Sequence, residues 1–236
     1  MDLVALFIGL AVLFVVIFGT IALFESRRKR AIADALQARG FQVTMKPADG
    51  EKLIAFTRLS HVPALKQGHS GVKWFATGLH RGKSTWICEH SYTTGSGKNR
   101  STHTNTVVAI GAPDDWAPFS LTAESIFHRW GEKLGLPKDL KLENEAFNKR
   151  WRVRAGAEYR RGESSEDTAL FILTPEVQQF LIAADSREWW CIGSGRIVCG
   201  MPSSLALKDL EKLLDRPIGL TEHLAPEVRA LLAAIE

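Results

Sequence analysis

Charge is missing from one end of this chain, and familiar catalytic motifs are missing from all of it. From Leu3 to Phe24 there is no Asp, Glu, Lys, Arg or His, a pattern that excludes an ordinary amphipathic surface helix there. No Cys-x-x-Cys, His-Glu-x-x-His or Gly-x-Ser-x-Gly occurs, so the usual spacings for zinc and for a hydrolase nucleophile are absent. There is no low-complexity tract and no internal repeat. The net charge of +4 over 236 residues is too small a basic excess to indicate nucleic acid by itself.

The uncharged run is built mostly of Leu, Ile, Val and Phe, and at about 1.5 Å per residue it can cross a hydrocarbon core roughly 30 Å thick. A cleaved signal peptide is the competing reading. Asp2 with no Lys or Arg before the run, an apolar core beyond the usual ~7–15 residues, and a poor small-x-small site at Thr20-Ile21-Ala22 speak for an uncleaved anchor. Arg27-Arg28-Lys29-Arg30 follows at once. The positive-inside bias then places the N-terminus outside and the C-terminal domain in the cytoplasm, as a single-pass protein of the cell inner membrane. The same four cations can attract anionic lipid headgroups, at about 1 kcal/mol per well-placed charge.

The remaining residues suffice for a sizeable core. The expected order is a transmembrane anchor over 1–26, a juxtamembrane amphipathic helix over 27–40, an antiparallel β-rich part over 41–120 and an α+β part over 121–236 packed on it. Ile32, Ala35 and Leu36 mark the inner side of the juxtamembrane helix, and Gly40 is placed to end it. Strands are expected at 41–45, 72–79, 85–93 and 104–110, with a long polar loop from Thr94 to His103. In the third of these, Trp86, Cys88, His90 and Tyr92 share one face, and Ile87, Glu89 and Ser91 the other. Helices are expected at 122–134, 143–148, 164–171, 174–184, 205–215 and 225–235. A strand is expected at 151–155, a shorter one at 139–142, and a hairpin at 188–192 and 196–201. The class is α+β, with a mainly antiparallel meander.

Three cysteines fit a reducing compartment. Cys191 and Cys199 flank Gly193-Ser194-Gly195. A two-residue hairpin loop would point them to opposite faces of the sheet, and a three-residue loop centred on Gly195 would pair them. Free thiols are the expectation.

Several constellations invite chemistry. Thr94-Gly95-Ser96-Gly97-Lys98 suggests a phosphate loop. It fails because Tyr92 stands five before Gly97, Asn99 replaces the magnesium-binding hydroxyl, and the stretch joins two strands. It reads as a basic hairpin tip, where Lys98 and Arg100 could contact an acidic partner. Cys88, His90 and His103 could sketch a zinc site or, with Asp115, a hydrolase, but a fourth ligand and a nucleophile motif are wanting; no metal and no cofactor are expected. Arg150, Arg152 and Arg154 alternate with Trp151 and Val153. They read either as a solvated outer face or as an anion-binding strip. Trp74, Trp189 and Trp190 sit in apolar patterns and belong to a core.

The stretch Tyr92 to Arg100 with Thr106-Val107-Val108 resembles bacterial single-pass membrane proteins known only as a domain of unknown function. So do Phe147 with Trp151-Arg152-Val153 and Leu173-Thr174-Pro175-Glu176. The resemblance implies an anchor and an α+β domain over 41 onward, and no activity. The functional expectation is a non-enzymatic binding or scaffolding module at the membrane. Its partners would be the bilayer through residues 3–24, and either anionic headgroups or a membrane protein. The alternative is a membrane-associated hydrolase with its site near Cys88, His90 and His103.

Overall fold

The structure is a computed structural model and describes residues 3–45, 47, 71–123, 140–155 and 165–234. The helix expected at 122–134 falls almost wholly outside these residues.

The apolar run and the juxtamembrane segment form one helix, α1, Leu3–Gln37, 35 residues without a break. It is about 52 Å long and therefore exceeds a bilayer core by some 20 Å. Apolar side chains from Leu10 to Phe24 stand largely exposed, whereas Ile32 and Leu36 are buried. By length and composition α1 can cross a membrane. It ends in a Schellman motif. Gly40 has φ +81°, the Phe41 amide donates to the Leu36 carbonyl at 3.0 Å, and the Gly40 amide donates to Gln37 at 2.9 Å. Phe41 and Leu36 then pack in the same core.

Eight antiparallel strands make one sheet: β1 (Gln42–Met45), β2 (Gly71–His80), β3 (Lys83–Thr94), β4 (Ser101–Gly111), β5 (Phe119–Ala123), β6 (Trp151–Arg154), β7 (Trp189–Gly193) and β8 (Arg196–Met201). Their order is β1-β2-β3-β4-β8-β7-β5-β6. The β4–β8 ladder joins the strands of the first half of the chain to those of the second. Arg81-Gly82 (φ 49° and 80°) and Ser194-Gly195 (φ 52° and 81°) close two-residue hairpins, whose left-handed pairs match the twist of the strands. The helices are α2 (Glu145–Arg150), α3 (Ser165–Ile172), α4 (Pro175–Ile182), α5 (Leu210–Glu222) and α6 (Pro226–Ala233).

The α+β, antiparallel expectation holds, with differences in detail. The loop after β3 is shorter than expected, because the strands pair out to Thr94 and Ser101 and a single 3-10 turn, Gly97–Asn99, spans the gap. Thr122 belongs to a strand rather than a helix start, its neighbours Phe119 and Leu121 being wholly buried between β6 and β7. Helix α5 starts five residues late and continues through Pro217 to Glu222. Burial of Leu213, Leu214, Ile218 and Leu220 along one face carries it past the proline.

The main core lies on the sheet face bearing Trp74, Ile87, Val108, Cys199, Trp190 and Leu121, beneath α1 and α5. The opposite face, with Phe75, Cys88, Val107, Ala109, Cys191 and Val198, is buried as well.

Candidate functional site

The alternation of β3 sends Glu89 inward beside Ile87, and its side chain is entirely buried. An unpaired carboxylate there would cost several kcal/mol, so the fold must supply cations. Arg28 of α1 supplies a two-pronged pair, with Nη1 at 2.8 Å from Oε2 and Nη2 at 2.9 Å from Oε1. A bulge between Val72 and Trp74 leaves Lys73 aimed at the same group, 3.4 Å from Oε1. Arg28 also holds Glu25 at 2.8 Å, and its hydrogen bond lowers that carboxyl to a pKa of about 2. Burial works against the charge on Arg28, yet its hydrogen bonds with Glu25 and Glu89 push its pKa up overall.

The same pair grips the segment after β8. Arg28 Nη1 donates to the Leu205 carbonyl at 2.6 Å, the Leu205 amide donates to Glu89 at 3.4 Å, and Thr106 Oγ1 donates to the Ser203 carbonyl at 2.8 Å. Beside this segment lies a cleft of about 300 Å³. Met201, Leu205 and Leu213 give it apolar walls, Ser203 and Ser204 add hydroxyls, and charged groups form its rim. Arg216 donates to Glu188 at 2.9 Å while lying over Phe180, and Arg187 donates to Asp185 at 2.9 Å, drawing the pKa of that carboxyl down. Among the described residues no cysteine or histidine lines the cleft. Its chemistry suits a small ligand with both apolar and charged parts. Arg28 stands four positions, about 6 Å of helix, beyond Phe24, so the cleft opens near the end of the apolar run.

The candidates from the sequence are scattered. Arg27 and Arg30 are exposed, Lys29 lies 3.3 Å from Glu25, and Arg28 turns inward. Lys98 and Arg100 are exposed at the β3–β4 tip. Arg150 ends a helix rather than starting a strand and donates to the Ala184 carbonyl; Arg152 is 2% exposed, and only Arg154 is open to solvent. The three guanidiniums therefore do not form one exposed strip: Arg150 lies in a helix, Arg152 is buried, and Arg154 alone of the three is exposed.

Cys88, His90 and His103 also stay apart. Cys88 pairs with Val107 and His103 with Tyr92, four positions along β4 and so roughly 13 Å from each other. Burial pushes the Cys88 thiol up to about 12, which disfavours a nucleophilic thiolate. Burial, with Lys73 nearby, lowers His90 to about 4, and among the described residues neither ring nitrogen has a hydrogen-bond partner. His103 accepts or donates at 2.8 Å to Thr94 and stacks on Tyr92. Cys191 and Cys199 form no disulfide and lie on opposite faces, as a two-residue loop requires.

Two groupings were not read from the sequence. One is Arg28 with Glu89; a charged residue on the Ile87 face was the available signal. The other is His80 Nε2, 2.7 Å from Asp215 and 4.0 Å from Glu211, where Arg81 and Arg39 hold the far carboxylate oxygens. This set pins the β2–β3 hairpin to α5.

The fold and cleft thus define an antiparallel α+β domain docked on an N-terminal helix long and apolar enough to cross a membrane. No protein-family model matches the chain, and no curated protein does. Among solved structures it is similar to the mycobacterial trehalose monomycolate transport factor A, TtfA, with 16% identity, a TM-score of 0.49, and coverage of 85% of this chain and 96% of that one.

Proposed function

We propose that this protein is a single-pass, membrane-tethered binding module whose domain faces the cytoplasm. The observation that carries the reading is the continuity of α1. One unbroken helix passes from a bare apolar segment into the domain core, where Arg28 is locked to Glu89 and Leu205. The domain is thereby held at a fixed height, and its cleft opens close to where the apolar segment ends. Four consecutive basic residues at that boundary set the N-terminus outside. The cleft, with charged rim and apolar walls, is the binding site of this module.

Protease treatment tests the topology: the domain is expected to survive in right-side-out vesicles and be digested in inverted ones. The opposite pattern refutes it. A photo-crosslinking residue in place of Ser204, on the cleft rim, is expected to give adducts in native membranes. Their absence refutes binding at the cleft.

A further inference from the structure

Helix α1 and strand β3 run antiparallel. Arg28 meets Glu89 at one end. At the other, Arg39 is bound to Glu211, Glu211 approaches His80, and His80 is paired with Lys83, the first residue of β3. Over this interval the nine helical residues from Arg28 to Gln37 rise about 14 Å, and the six strand residues from Glu89 back to Lys83 cover about 20 Å. With Phe41, just past the end of α1, against Gly78 beside Thr85, the helix and the strand run in opposite senses. Beyond Glu89, β3 must travel back toward the apolar end of α1.

It travels far. β3 continues five residues to Thr94, about 17 Å, and the turn Gly95 to Arg100 lies beyond that. The apolar run ends only about 6 Å past Arg28 on the helix. A headgroup layer is about 6 Å thick on each side of the hydrocarbon. The tip thus reaches the level of that layer.

The composition of the tip suits that place. Between Glu89 and Asp114 there is no acidic residue, and Lys98 and Arg100 are the only Lys or Arg. Positions 95–103 are all exposed. Among the described residues β2 pairs no further than Ser91, and β8 pairs only from Thr106 onward. Among the described residues the outermost pairs, Tyr92–His103 to Thr94–Ser101, therefore form a two-stranded ribbon with no third strand beside it. Such ribbons are marginal in water alone. The turn is nevertheless defined: the Asn99 amide donates to Ser96 at 3.2 Å, and a Cβ at Gly95 would lie 2.3 Å from the Asn99 carbonyl.

We infer that the β3–β4 ribbon is a second membrane contact, in which Lys98 and Arg100 bind the phosphates of anionic lipid headgroups. Arg27 and Arg30, exposed on α1 at the boundary, bind the same layer. The inference rests on α1 spanning a bilayer.

The test uses the full chain in lipid nanodiscs, with Ser96→Cys carrying a fluorophore. Cys88, Cys191 and Cys199 are buried and escape labelling. Quenching by a nitroxide on phosphatidylcholine headgroups is compared between discs with and without phosphatidylglycerol. Strong quenching is expected only with phosphatidylglycerol, and it should fall with added salt. Lys98→Glu with Arg100→Glu should lower the docked-to-free ratio at least roughly 25-fold, about fivefold for each cation lost. Equal melting temperatures show that this exposed pair leaves the fold intact. Quenching indifferent to lipid charge or to the double variant overturns the inference. So does protection of the label in native membranes but not in pure lipid, which would assign the ribbon to a protein partner. Failure of the chain to enter discs at all refutes instead the spanning of the bilayer by α1.

Discussion

Replacing Arg28 by alanine is expected to loosen the domain rather than merely shift its charge. The substitution removes both prongs from a carboxylate that is wholly buried and deletes the donor to the Leu205 carbonyl. Breaking a buried pair from one side typically costs about 3–5 kcal/mol. Two features soften this: the Arg28 side chain is 20% exposed, and the Lys73 ammonium stays 3.4 Å from Glu89. A loss of about 2–3 kcal/mol is therefore expected, or roughly 5–10 °C in melting temperature for a domain of this size. The assay is a thermal melt followed by near-ultraviolet circular dichroism in nanodiscs, with Arg27→Ala as the exposed control at under about 0.5 kcal/mol. In a cycle with Glu89→Gln, a coupling of at least about 1 kcal/mol is expected. If Arg28→Ala melts with Arg27→Ala, or the cycle is additive, the pair does not hold the domain to α1.

Acidification should destabilise the domain through His90. Its folded pKa of about 4 lies below the ordinary 6.5, so the unfolded chain binds the proton first, and stability falls as pH drops from about 6.5 toward 4. Between pH 7 and pH 5 the loss is about 2 kcal/mol, and His90→Gln should flatten that part of the profile; an unchanged slope would contradict it. Gly200→Ala is expected to cost about 1–3 kcal/mol and to alter tryptophan emission, since its Cβ would fall 2.0 Å from the Trp189 ring; a wild-type melt would refute that packing. Under a mild oxidant, Cys191 and Cys199 should stay unlinked and unreactive to aromatic disulfide reagents until the protein unfolds. Fast labelling of the native state would contradict their burial.

Local pattern carried much of the fold. The strict alternation from Trp86 to Tyr92 gave the two faces of β3, and Gly40 marked the end of α1, because both signals are written within a few neighbouring residues. The hairpin loop at Ser194-Gly195 stayed open between two registers until its backbone angles were known. What distance along the chain separates, the sequence hid. Arg28 and Glu89 are 61 residues apart, and topology alone already gave the arginine a role. The arginine strip misled for another reason. Polar alternation on a strand implies a wet outer face only when nothing covers it, and Arg152 lies on a face that is covered. The cleft was invisible because Thr106, Asp185, Leu205 and Arg216 converge on it from four separate segments.

The seamless passage from apolar stalk to sheet has a mechanical corollary. A globule hung on a pliant glycine-serine leash sweeps a hemisphere, whereas one welded to a rigid rod has no swivel. If α1 spans a bilayer, any twist or sideways step of that rod turns the whole body with it, so neighbours meet one aspect of the molecule, at one altitude.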